Sequence, residues 1–374
     1  MIAAAAVAWA CMLVAGASAC PFCGVVGRSL AERRDAADAV AVAAADGPAR
    51  RDTDGLVVQQ FTIVAALRGP PQPAREAVEA SVVEPVAGTA VLFGTRDGVR
   101  TRWEAVAADE AVIDHVSRAP ALDQPAAERL RWFAARLDHP NPAIAADAFA
   151  EFGRAPFEAV REVADAFDPA DLAARLGDPH GDQRRRGFHG LALGLAARAA
   201  GGGVKAAAVA ALEAAVVAPA ADLRAGYDGI LAGLLVADGE AGLAFLRRQG
   251  LVAGTTRAGD ARHVLAALRF AWQSLADSVP RLAIAAATAD LLDNPAVAAE
   301  AAVDLARYGQ WDAVDRIAAL WTSLGPDDPL VRRAVAGYLT ACPRPEAVRQ
   351  RERIAADDPV AWQAAVAAAA SPAR

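Results

Sequence analysis

The stretch Asp327-Asp328-Pro329-Leu330-Val331-Arg332-Arg333-Ala334-Val335 decides the fold: acidic residues, a proline, then apolar and basic side chains at helical spacing. The acid can accept hydrogen bonds from the unpaired N–H groups of the coming helix, and proline fits the first turn, where its missing donor costs nothing. The same order recurs in Leu137-Asp138-His139-Pro140-Asn141-Pro142 before Ala145–Ala148 and in Leu176-Gly177-Asp178-Pro179 before Arg184-Arg185-Arg186-Gly187. It returns in Leu292-Asp293-Asn294-Pro295 before Ala298–Val303 and in Asp357-Asp358-Pro359 before Trp362. These prolines stand roughly 30 to 40 residues apart, with one gap near three times that, which is the rhythm of a two-helix repeat.

From 125 to 374 the chain therefore reads as a helical repeat domain, rich in Ala, Leu, Arg and Glu at 3.6-residue spacing. Small side chains let neighbouring helices approach closely. Trp132, Trp272, Trp311, Trp321 and Trp362 sit among apolar residues, as expected of a core between repeats. The rhythm blurs between Gly201 and Gly259, where Gly201-Gly202-Gly203 and Gly226, Gly229 and Gly233 intervene.

Upstream, the pattern changes. Val40–Ala44, Val57–Leu67, Ala77–Val83, Thr89–Gly94 and Gly98–Val106 have strand character, with Phe61, Ile63 and Ala65 alternating against Gln60, Thr62 and Val64. Gly69-Pro70-Pro71 ends one strand and Asp97-Gly98 signals a hairpin. Five strands in so short a stretch suit a small barrel, with a short helix over Arg28–Ala37 against one end. The β-module is assigned to 20–108 and a linker to 109–124.

Residues 1–19 form an apolar run of small side chains, and no Asp, Glu, Lys, Arg or His precedes Arg28. Ala17-Ser18-Ala19 before Cys20 fits a signal-peptidase site, so export to an extracytoplasmic compartment is expected. Later apolar stretches are interrupted, for example by Lys205 and Glu213 or by Asp228 and Asp238, and none is expected to span a membrane. Removing the leader with Cys11 leaves Cys20, Cys23 and Cys342, an odd number. Cys20 and Cys23 can pair with each other, or one of them with Cys342. Alternatively Cys20 carries lipid, since Ala17-Ser18-Ala19-Cys20 satisfies a permissive lipobox, and Cys23 and Cys342 form the pair. Membrane association is expected only in that last case.

The repeated Asp/Asn-Pro turn followed by an Ala/Val-rich helix resembles HEAT repeats, which implies an α-solenoid of stacked antiparallel helix pairs. The closely spaced cysteines, then Asp38-Ala39-Val40-Ala41-Val42, Phe61-x-Ile63 and Ala90-Val91-Leu92-Phe93, resemble OB-like netrin/TIMP modules. That resemblance implies a barrel and, at most, metalloprotease inhibition through the Cys20 terminus. The layout as a whole resembles exported bacterial proteins with a Cys-Pro-Phe-Cys start and a helical-repeat body, which implies no particular reaction. The fold class is thus α+β and rich in helix, a barrel-like module followed by a HEAT-like solenoid.

The chain of 374 residues carries 45 acidic against 38 basic side chains, a net charge of -7, which argues against a nucleic-acid partner. GxSxG, Walker and HExxH motifs are absent from the sequence, and Lys205 is its only lysine. No cofactor and no catalytic residue is assigned. His180, Asp182 and His189 are the nearest approach to a metal set, and Asp114-His115-x-Ser117 to triad parts. Arg184, Arg185 and Arg186 put positive charge at a helix start, where an acidic ligand or neighbouring acids such as Asp178 and Asp182 must offset it. The sequence points to a non-enzymatic scaffold binding another protein. The competing expectation is an enzyme with a site at the barrel–solenoid junction using His115, His139 or His180.

Overall fold

The computed structural model describes residues 27–70, 75–178, 180–219 and 224–371. The chain divides into two compact units, one containing 26–160 and the other 161–374.

The first unit opens with α1 (Leu30–Ala36), followed by β1 (Ala39–Ala45), β2 (Arg50–Arg51), β3 (Val57–Arg68), β4 (Ala77–Val82), β5 (Thr89–Asp97) and β6 (Arg100–Ala107). The sheet order is β1-β5-β6-β4-β3, and β1 pairs with β3 to close a five-stranded barrel, with β2 appended to β3. All pairings are antiparallel except β4 with β6. Strand alternation accounts for two cores. Ala39, Ala41 and Ala43 point inward with Phe61, Ile63, Leu92 and Trp103. Val40, Val91 and Phe93 point outward, beneath helices. A Cβ on Gly94 would lie 2.7 Å from the Trp103 ring, so glycine is what lets that indole fill the barrel. Buried Gln59 bridges the loops, giving its amide to Gly47 and Val86 carbonyls at 2.8 Å each and accepting from Val86 N–H at 2.9 Å.

The expected linker at 109–124 contains α2 (Glu110–Arg118), whose Val112 and Val116 are buried against Val40, Val91 and Phe93. Then come α3 (Ala126–Ala134), α4 (Pro142–Arg154) and α5 (Phe157–Glu162). The first unit therefore extends beyond the strands and takes in the first helices of the region read as repeats.

The second unit contains α6 (Pro169–Gly177), α7 (Arg186–Ala200), α8 (Gly202–Val217), α9 (Tyr227–Arg248), α10 (Ala258–Ser274) and α11 (Arg281–Asp290). It continues with α12 (Ala298–Arg307), α13 (Val314–Ser323), α14 (Pro329–Ala341), α15 (Pro345–Asp357) and α16 (Pro359–Ala370). Successive helices pack as pairs and also beside the next but one: α7 on α9, α12 on α14, α14 on α16 and α13 on α15. This is a stacked helical array, in agreement with the two-helix rhythm.

The cap grammar holds at α4, α14 and α16, while α7 and α12 begin without a side-chain cap. Asp328 accepts from Leu330 N–H and Asp358 from Ala361 N–H, with Pro329 and Pro359 in the first turns. For α4 the cap is Asn141 with Pro142, one step beyond Pro140. Asp168-Pro169 caps α6, an instance the sequence reading did not single out. Asn294 caps a turn instead, accepting from Ala296 N–H, and α12 begins at Ala298. Pro179 lies outside the described residues.

The glycine-rich middle is the tightest crossing. Gly187, Gly190 and Gly194 of α7 face Gly229 and Gly233 of α9, with Gly226 at its N-cap; a Cβ on Gly233 would lie 2.0 Å from the Gly190 carbonyl oxygen. α9 also corrects the membrane reading, since by length and composition this 22-residue helix is apolar enough to cross a bilayer. Here 72% of its apolar window is buried inside the protein, and the helix bends at Gly239, where φ is 56°.

Candidate interaction surface

Within the second unit, the flanks of α10, α12, α14 and α16 enclose an open groove of about 490 Å³. Its floor is Ala299, Val303 and Ala306 from α12, Leu330, Ala334 and Gly337 from α14, and Ala369 from α16. Each of α12 and α14 supplies positions i, i+4 and i+7, which share one helix face. Most of these side chains are small, so the floor is shallow, and Leu330, 62% exposed, stands up from it.

Arg269, Glu300, Arg307 and Arg333 form the charged rim. Arg269 donates Nε to Asp304 at 2.5 Å and an Nη to Glu300 at 2.9 Å, tying α10 to α12. Burial pulls the Arg269 guanidinium down, but Asp304 and Glu300 more than restore it, and it stays above its ordinary range. Arg333 donates to the Ser371 carbonyl at 3.1 Å. Arg307 is 72% exposed and reaches Asp304 Oδ1 only at 3.7 Å, while Oδ2 of the same carboxylate accepts from Arg269.

A larger hollow of about 690 Å³ in the first unit, beside α1 and the end of β3, has the charges of Arg34, Asp35 and Arg68 paired with one another. Arg34 donates to the carbonyls of Val116, Ala119 and Pro120, and Asp35 accepts from Arg34, Arg68 and Leu122 N–H. Burial raises the Asp35 carboxyl, yet Arg34, the Leu122 amide and Arg68 outweigh it and hold it below its ordinary value. The polar groups there pin a corner of the fold.

The residues singled out from sequence do not converge. Asp182 accepts from Arg184 N–H at 3.0 Å and Nε at 3.2 Å, and Arg185 lies 3.7 Å away, so a local acid offsets the arginine run. Arg186 Nε is buried without a hydrogen-bond partner. His180 sits in a turn whose N–H donates to Asp178, whereas His189 lies within α7. Burial, then Arg175 and Arg185, bring the His189 imidazole down to about 4, so it is neutral at physiological pH. Among the described residues no three His, Cys, Asp or Glu side chains gather into a metal-binding group. Cys342 is buried and free among the described residues; Cys20 and Cys23 lie outside them.

The triad-like run also disperses: Asp114 pairs with Arg118 at 2.7 Å, Ser117 donates to the Ile113 carbonyl at 2.8 Å, and His115 turns inward. His139 Nδ1 accepts from Asn141 N–H. The tryptophans pack at helix seams, Trp272 stacked on Tyr308 at 3.9 Å, Trp311 against Tyr338 and Trp321 against Trp362. Of the five, Trp321 is buried and the other four are partly exposed.

A polar cluster in the first unit escaped the sequence reading. His115 Nε2 lies 2.7 Å from Asp147 Oδ2, Leu30 N–H donates to Asp147, and Ser29 Oγ donates to Glu151, which also accepts from Arg129. Ser29 and Glu32 complete a capping box on α1, and Arg154 donates to Glu32 at 2.6 Å. An ionised Asp147 requires the proton on Nε2 of His115, which leaves Nδ1 buried and unpartnered. Burial raises the Glu151 carboxyl; Ser29 and Arg129 oppose this, and Asp147 and Glu32 add to it. Ser29, His115, Asp147 and Glu151 are all buried, so the cluster clasps α1 to α2, α3 and α4 without offering a substrate a way in. The one signal available was Asp147-x-x-x-Glu151, two acids a turn apart inside an otherwise apolar helix.

Comparisons with models of known families, with curated proteins and with solved structures find no match.

Proposed function

We propose that the protein is an exported, non-enzymatic scaffold that binds another protein through the face of its helical array. The reading rests on one observation: of the two large hollows described above, the groove over α12, α14 and α16 has the more apolar lining. The His115–Asp147 pair favours the same reading, because both side chains are buried and Asp147 holds the start of α1 in place. The stacked pairs support the HEAT-like resemblance. The barrel order, with β4 beside β6 in parallel, supports the resemblance to OB-like modules. On this reading the barrel is a stapled N-terminal module, an extracytoplasmic location follows from the leader, and lipid on Cys20 is the route to a membrane.

The test is affinity capture from the cell envelope with the full chain and with Ala306→Trp, which fills the groove. A protein enriched at least about tenfold by the native chain over the variant supports the proposal. Equal recoveries with both chains count against it.

A further inference from the structure

The groove's chemistry narrows its partner. Its floor carries small residues at matched positions on two adjacent helices, so a rounded ridge can lie close along it. Leu330 offers that ridge an apolar side chain at one end. Three guanidiniums and one carboxylate line the rim, and the carboxylate of Asp304 below them is already claimed by Arg269. Arg307 in particular projects a guanidinium that is 72% exposed and weakly paired. An apolar floor with a cationic edge is complementary to a helix that is apolar on one face and acidic along its flank.

We propose that the groove receives an amphipathic helix of a partner protein, its apolar face on Ala299, Val303, Ala306 and Leu330 and its carboxylates on Arg307 and Arg333. The inference rests on the scaffold reading above and adds the class of partner. Arg307 is the specificity residue, because Arg269 is spent on Asp304 and Glu300 and Arg333 is partly engaged by the Ser371 carbonyl.

The probe is a fluorescein-labelled synthetic helix of about 18 residues, five turns, with a Leu/Ala face and a Glu flank, alongside a twin with Lys replacing Glu. Fluorescence anisotropy with the full-length protein is expected to give a Kd of about 10–100 μM for the Glu peptide and at least about tenfold weaker binding for the Lys peptide. Arg307→Glu, an exposed change that leaves the core intact, is expected to invert that preference, and Ala306→Trp to weaken both peptides. If the Lys peptide binds native protein as well as the Glu peptide, the acidic partner class is wrong while the groove remains. If neither variant alters binding, the groove is not the site and the scaffold reading falls with it. No binding of the Glu peptide up to about 1 mM overturns the inference. So does Arg307-dependent capture of phosphatidylserine/phosphatidylcholine vesicles without peptide binding, which would assign the groove to a lipid surface.

Discussion

Asp147 is the residue on which most of the first unit's polar order turns, since one carboxylate accepts from a backbone amide of α1 and an imidazole of α2. Asp147→Ala strands both donors in the interior, at about 1–3 kcal/mol for each. Urea unfolding of the variant should show that loss, with amide exchange at Leu30 accelerating more than in β1. Glu151 gives a signed pH effect. Its folded-state pKa lies above the unfolded value of about 4.5, so between the two the folded chain binds more protons, and this contribution to stability falls as pH rises through that window. Glu151→Gln removes the term. The stability difference, native minus variant, should therefore decrease as pH rises from about 4.5, and a pH-independent difference would show that Glu151 does not titrate there.

At the scale of elements, the α7–α9 crossing depends on missing side chains. A Cβ on Gly194 would sit 2.2 Å from the Gly233 carbonyl oxygen, and one on Gly233 2.0 Å from that of Gly190. Such contacts can be relieved only by moving backbone, so Gly233→Ala is expected to lose about 1–3 kcal/mol in urea melts. Gly203 provides the contrast. It lies in the first turn of α8 with open space around its Cβ position, and Gly203→Ala should gain up to about 1 kcal/mol through the entropy of the unfolded chain. The same close approach explains why α9, apolar enough to pass for a membrane span, serves as a core helix.

Over the whole molecule, stability in a stacked array is a sum of neighbour contacts, so it should grade along the stack. α16 packs on α14 and α15, and Trp362 against Trp321 is its principal aromatic anchor. Trp362→Ala is expected to lower hydrogen-exchange protection across α16 while leaving α7 and α9 unchanged. Uniform loss across the second unit would instead mark it as one all-or-none body.

The capped starts of α14 and α16 and the strand–turn punctuation of the barrel could be read from sequence, because capping and alternation are local. The acid-proline pair sits within hydrogen-bond reach of its own helix, and a strand shows its period within a few residues. Cap positions slipped at Pro140 and Asn294 because a side chain can cap a turn as readily as a helix, and only the following backbone decides between them. The clasp on α1 joins residues far apart in the chain, and the groove joins matched faces of helices that become neighbours only after stacking. Glycines that interrupt a pattern in one dimension become a surface of closest approach in three. Residue order thus determined most of the helices and strands, α2 within 109–124 excepted, and tertiary packing alone decided which acids were buried, which arginine was left exposed and where a partner could lie.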